Sequence, residues 1–269
     1  MNDFLHIMAT ASVERAQAAD PALRSTVFDK PLLPLRLGNF DVIAEIKDCS
    51  PAEGKLATLE SNRTERAQQY AQGGAAAISV LTEPSRFSGS LEHVEEVAAA
   101  VPGTPVMRKD FLVAPIQILE ARQAGASGVL LIVTMLDDDK LRKMLDCAWE
   151  HGMFVLLESF DSNDLARSNR LLDNEVDRKK ADDGQLLLGV NTRNLRTLEV
   201  DSDRLEKLAL ELPLASCVAE SGLHTAEDAA RVAGLGYTLA LVGTALMRSD
   251  DPADLVRQMR AAGSECFSA

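Results

Sequence analysis

Residues 41–50 read DVIAEIKDCS, an apolar run that closes on two charges, Glu45 and Lys47, set two residues apart. Successive side chains of a strand point to opposite faces, so these two share one face and Ile46 takes the other. A run this apolar on both faces suits a strand covered on both sides, as in a parallel sheet packed under helices. Its two charges then stand at the C-terminal end, where side chains can reach an opening.

Seven further runs of the same kind follow: AAISVL (76–81), PVMR (105–108), SGVLLIV (127–133), MFVLLE (153–158), LLLGVN (186–191), SCVAES (216–221) and TLALVG (238–243). Segments with helical spacing lie between them, among them TERAQQYAQGG, LEHVEEVAAAV, APIQILEARQAG and DDKLRKMLDCAWEHG. Thr225 and Asp251 are placed as N-caps, and Gly73, Gly125, Gly152, Gly234 and Gly263 stand where helices are expected to stop. Eight β-α units within about 220 residues favour a closed (β/α)8 barrel, a TIM barrel, although a doubly wound sheet alternates in the same way. The expected organisation is a single domain over residues 1–269, with an N-terminal helical extension over 1–40 and the barrel over 41–263. The extension is predicted to hold one helix, about Val13 to Ala19, below the barrel or beside its mouth. Residues 168–185, polar and dense in both charges, read as a solvated extension between units five and six.

Composition narrows the function classes. The 269 residues are 46% apolar and carry a net charge of −13, which opposes binding to nucleic acid or an anionic membrane through long-range repulsion. Cys49, Cys147, Cys217 and Cys266 are too scattered for a disulfide scaffold and read as reduced thiols. The start lacks the basic end, apolar run and cleavage site of a secretory signal, so a cytoplasmic protein is expected. The histidines at 6, 93, 151 and 224 form no metal-binding spacing, so no metal site is expected. Trp149, in a helical pattern, reads as packing.

In a barrel, functional groups come from the C-terminal ends of several strands. Here those ends carry Glu45 and Lys47, Lys109, Glu158, Asn191 and Arg193, and Glu220 and Ser221. Burying charge is costly unless it is paired or used, and corresponding places in five units make chance a poor account of the set. Cys49 lies beside it, but no histidine motif stands near to activate a thiol. After strands seven and eight, Ser221-Gly222 and Gly243-Thr244 occupy the phosphate-binding place of many barrels, where small residues let backbone N–H groups approach an anion.

At this point the residues resemble a known family over nearly the whole chain after about residue 40. IAEIKDCSP, VLTEPSRFSGSLEHV, PVMRKDF, LLES, GVNTRNLRTLEV and VAESGLHTAED are similar, in order, to the motifs of indole-3-glycerol phosphate synthases. The resemblance implies conversion of a carboxyphenylamino deoxyribulose phosphate, a small phosphorylated aryl-amino sugar, into indole-3-glycerol phosphate with loss of carbon dioxide and water. It implies Lys109 as general acid of ring closure, Glu158 as acid–base group of dehydration, Lys47 as a second cation and Glu45 as the group orienting the lysines. Asn191, Arg193 and Glu220 would hold substrate, Ser50 would assist an anion, and Ser221, Gly222, Gly243 and Thr244 would cradle phosphate. Leu81, Phe87, Phe111 and Leu131 would wall the aryl ring. A monomer or weak homodimer is expected.

Two electrostatic expectations accompany these roles. Crowding by cations and desolvation would lower the pKa of Lys109 toward neutrality, and a glutamate buried beneath an aromatic substrate would be raised. The loop after strand one departs from the family pattern: Asp48 stands where Arg or Lys is usual, Ala52 replaces Ser and Glu53 commonly aligns with Lys. This loss of positive charge is expected to raise KM, with Asp48→Arg lowering it again, the alternative being that Asp48 points to solvent or pairs with a basic residue elsewhere and never feels the substrate.

Overall fold

The computed structural model describes residues 4–50, 54–55, 62–195 and 200–267. Each of the eight runs forms a strand: β1 (Asp41–Ile46), β2 (Ala77–Leu81), β3 (Val106–Lys109), β4 (Gly128–Ile132), β5 (Phe154–Ser159), β6 (Leu186–Asn191), β7 (Cys217–Glu220) and β8 (Leu239–Val242). Neighbours pair in parallel in chain order, and β8 closes onto β1 from Asp41↔Leu239 to Ala44↔Val242. The sheet is therefore a closed (β/α)8 barrel. A short antiparallel ribbon, Cys49–Ser50 with Gly54–Lys55, follows β1.

Period-two alternation divides the apolar strand residues between two cores. Val42, Ala44, Ile46, Val129, Leu131, Val155 and Leu157 face outward and pack with the helices. Ile43, Met107, Leu130, Phe154, Leu156, Leu187, Val218 and Leu239 fill the interior. Burial on both faces explains why the strands read as unbroken apolar runs. Inside, large side chains sit against small ones. A Cβ at Gly128 would enter the ring of Phe154.

The N-terminal helix α1 spans Phe4–Ala18, beginning well before the expected Val13. Its buried stripe is Leu5, Met8 and Ser12, and the polar third member weakens the apolar signal on which a sequence reading relies. Ser12 is satisfied by Gln117 Nε2 at 2.9 Å, while Arg15 pairs with Asp110 at 2.8 Å and the Phe4 ring meets Phe111 edge-on. The extension thus flanks the mouth of the barrel.

Residues 168–185 are not a simple solvated extension. They finish one helix (Ser162–Leu171) and contain the whole of another (Glu175–Asp182). The Asp177 side chain is fully buried and accepts from Arg142 at 2.5 Å and from the Trp149 indole at 3.0 Å. Of the helix stops, Gly73 and Gly125 are C-caps, but Gly234 is still helical and Gly263 lies inside the last helix (Pro252–Glu265). Gly263 serves packing instead, since a Cβ there would strike the ring of Phe40. Thr225 and Asp251 cap as expected, Thr225 within a capping box.

Candidate active site

The side chains gathered at the mouth are those that share the interior register. On β1, Asp41, Ile43 and Glu45 alternate with outward Val42, Ala44 and Ile46, and Lys47 continues the inward row just past the strand. Lys109 ends β3, Glu158 lies near the end of β5, Asn191 ends β6 and Glu220 ends β7. Glu45, Lys47, Lys109, Glu158, Asn191 and Glu220 line one cavity of about 260 Å³, together with Ser50, Leu81, Phe87, Phe111, Arg193, Ser221, Gly222, Gly243 and Thr244.

Two linked networks organise this cavity. In the first, Glu45 bridges both lysines: Oε1 lies 3.1 Å from Lys47 Nζ and Oε2 lies 3.4 Å from Lys109 Nζ. Burial disfavours the Glu45 charge, but the two lysines outweigh it and hold the carboxyl below its usual range. Lys109 moves the other way from the sequence expectation. Burial alone would lower its pKa, yet Glu45, Glu158 and Glu220 surround it and raise it, so the amine is firmly cationic. The neighbours that decide its state are carboxylates.

In the second network, Asn191 Nδ2 donates to Glu158 Oε2 at 3.0 Å, while Asn191 Oδ1 accepts from Ser221 Oγ at 2.8 Å and from the Arg193 backbone N–H at 2.9 Å. Glu158 is thereby held by a positioned amide. The raised carboxyl in the site is Glu220, pushed up by burial and by the charge of Glu158. Ser221 and Gly222 both have positive φ, 69° and 73°. Such a conformation costs about 1 kcal/mol or more for a residue with a Cβ, so Ser221 is a strained position held by its surroundings.

Gly243 is required for a different reason. Its φ of −118° is not the left-handed conformation that calls for glycine, but a Cβ would collide with Glu45 Oε1 and come within 3.0 Å of Lys47 Nζ. The glycine makes room for the Glu45 bridge.

The family model for indole-3-glycerol phosphate synthase matches residues 9–259. The chain belongs to the indole-3-glycerol phosphate synthase family. Among relatives carrying that name, one from Nocardioides sp. is 45% identical over 230 residues, covering 85% of this chain and 83% of the relative. Another, from Mycobacterium leprae, is 41% identical over 259 residues, covering 96% of this chain and 88% of the relative. Among solved structures, 3-hexulose-6-phosphate synthase from Salmonella typhimurium superposes with TM-score 0.63 at 16% identity, over 84% of this chain and all of that one. That likeness is one of fold.

Within this synthase-family barrel, one expected wall residue is misplaced. Leu131 faces outward into the helix layer, and its neighbours Leu130 and Ile132 face the cavity. The strand pairing makes this unavoidable: Ile132 is level with Glu158, so Leu131 must point the other way. Phe4, Asp110, Leu195, Val200, Leu223, His224 and Leu241 also line the cavity and were not among the expected residues. Period-two spacing from Gly243 would have found Leu241. Phe4 had no local signal, because its position depends on how α1 lies across the mouth.

The loop after β1 also reads differently in three dimensions. Asp48 does not line the cavity; its Oδ2 accepts from Arg63 Nη2 at 3.0 Å and Nε at 3.2 Å. Arg63 pairs with it while also reaching Glu96 at 2.8 Å, so Asp48 stands in an ion-pair cluster outside the cavity lining, which weakens the expected repulsion of substrate. Ala52 and Glu53 lie outside the described residues. Among those described, no group of His, Cys, Asp and Glu side chains has metal-binding geometry, and no helix is long and apolar enough to cross a membrane.

Proposed function

We propose that this chain closes the indole ring, converting 1-(2-carboxyphenylamino)-1-deoxyribulose 5-phosphate to indole-3-glycerol phosphate, carbon dioxide and water, the step its family name describes. The observation that carries the reading is the placement of Lys109, a partly buried cation ringed by Glu45, Glu158 and Glu220. Attack of an aromatic carbon on a carbonyl builds negative charge on oxygen, and a positioned acid that is protonated before the step can quench it. Lys109 has that property. The same property opposes a Schiff-base mechanism, which needs a neutral amine.

The remaining roles follow from position. Lys47, tied to the other oxygen of Glu45, supplies a second cation for an anionic substrate group, and Glu45 orients both lysines. Glu158, held by Asn191, is the acid–base group of the dehydration. Arg193 and Ser50 hold the anionic ends. Ser221 and Gly222, with Gly243 and Thr244 at the start of the helix Thr244–Arg248, form the phosphate end through backbone N–H groups. Leu81, Phe87, Phe111, Leu130 and Ile132 wall the aryl ring.

The chain is read as one domain working in the cytoplasm as a monomer or weak homodimer, with no metal or organic cofactor in the chemistry. Indole absorbance and fluorescence appearing from the synthetic substrate test the reaction. A full-length, folded protein that forms no indole from saturating substrate refutes it. Glu158→Gln should slow turnover by about 10² to 10⁴-fold, the range of a positioned acid–base group. An effect confined to KM would make Glu158 a binding residue.

A further inference from the structure

We propose that Glu158 and Glu220 form a carboxyl pair holding one proton, seated together because Gly189 has no Cβ, with Glu220 carrying the proton in the resting protein. Its use in catalysis rests on the synthase reading above; the pair itself is read from geometry. Glu158 of β5 is level with Gly189 of β6, and Asn191 of β6 is level with Glu220 of β7. A Cβ on Gly189 would strike Glu220 Oε1, so the Glu220 carboxyl occupies the slot over Gly189, beside Glu158.

Both carboxyls are buried, with relative exposures of 0% and 1%. Asn191 satisfies Glu158 Oε2, whereas Glu158 Oε1 and both oxygens of Glu220 lack a donor among the described residues. Two buried carboxylates in such a place do not both ionise, and a shared proton supplies the missing donor. The Asn191 amide donates to Glu158, whereas neither oxygen of Glu220 has a donor among the described residues, which leaves the proton to Glu220. The charged groups acting on Glu220 are Glu158, Lys109 and Glu45, and burial with the Glu158 charge prevails over the pull of Lys109. Lys47, Asp110, Arg193 and His224 line the same cavity.

The pair suits the loss of water. The carbon–oxygen bond of the ring hydroxyl breaks, a proton leaves the neighbouring ring carbon, and the freed electron pair becomes the double bond of the indole. One proton must be delivered to the departing hydroxyl and one withdrawn from carbon. The shared proton passes from Glu220 to Glu158 and on to the hydroxyl, and the doubly charged pair regains a proton from the ring carbon. It ends as it began, with one proton. Lys109, beside both carboxyls, stabilises the transient double charge.

The test is a 13C NMR titration of the full chain labelled at glutamate carboxyl carbons. One carboxyl is expected to remain protonated at a pH where free glutamates are ionised. Its signal should vanish in Glu220→Gln and titrate at lower pH in Glu158→Gln, where the neighbouring charge is gone. A wild-type spectrum in which every glutamate ionises below about pH 6 overturns the pair, as does a protonated signal that survives Glu220→Gln. No substrate is needed, so failure of the ring-closure assay leaves this result readable. In the kcat–pH profile, Glu220→Gln should slow turnover by about 10²-fold and remove the alkaline limb that coincides with the NMR titration. A wild-type profile without that limb, or a variant that keeps it, overturns the catalytic use. Gly189→Ala, checked for folding by circular dichroism, should shift the high-pH carboxyl signal; an unmoved signal refutes the seating role of Gly189.

Discussion

Replacing Glu45 with Gln preserves the shape of the side chain and removes the charge that holds Lys47 and Lys109 together. At the observed 3.1 and 3.4 Å, each attraction is worth about 1 kcal/mol in water and about 5 kcal/mol at an effective dielectric near 20. The lysine side chains are 15% and 16% exposed and Glu45 is 5% exposed, which places the pairs nearer the second figure. The burial cost of the carboxylate offsets part of this, and removing one partner of a buried pair typically costs about 3–5 kcal/mol. At about 2–4 °C per kcal/mol for a chain of this size, Tm should fall by roughly 6 to 20 °C. The Glu45 pKa is depressed in the folded state, so its contribution is present above the unfolded carboxyl pKa and lost as pH falls through the lower, folded value. The gap in Tm between wild type and variant should therefore be full near neutral pH and close in acid. Turnover should drop about 10²-fold, because two unbridged amines repel and Lys109 leaves its working position. Thermal melts followed by circular dichroism between about pH 3 and 8, with indole fluorescence for rate, measure both. A Tm unchanged to within about 1 °C at neutral pH would refute the bridge as a stabilising element.

Three further outcomes are expected. Lys109→Met should abolish ring closure while a substrate analogue still binds, and borohydride with a keto substrate should trap no adduct on the wild-type lysine; a trapped adduct would make Lys109 a nucleophile. Gly243→Ala should reproduce the loss of Glu45, weakening phosphate-bearing and phosphate-free ligands alike in calorimetry, because its Cβ meets Glu45 Oε1; a defect limited to phosphate-bearing ligands would place the Cβ effect at the anion. Asp48→Arg should leave KM unimproved even at low ionic strength, since Asp48 is engaged by Arg63, and a several-fold fall in KM would show that Asp48 acts on substrate.

Motif order and strand pattern made the architecture and most of the site legible before any coordinates. Glu45, Lys47, Lys109, Glu158, Asn191 and Glu220 were readable because each ends, or lies just beyond, an apolar run, and strand ends in a closed barrel converge by geometry. Leu131 was misread because an unbroken run such as GVLLI shows no alternation from which to read the facing. Helix α1 was underestimated because its third buried position is a serine whose partner, Gln117, is remote in the chain.

What the chain by itself determined is the set of elements and the residue types brought to the mouth, since these follow from local periodicity and from charges that end apolar strands. What only the tertiary structure decided is the state of those groups. Lys109 is held cationic by the carboxylates of Glu45 from β1 and Glu158 from β5, Asp48 is paired with an arginine from the next helix, and two glycines stand where carboxyls from neighbouring strands need space. Charge state and steric room depend on distances between residues far apart in sequence, and strand register and barrel closure alone set those distances.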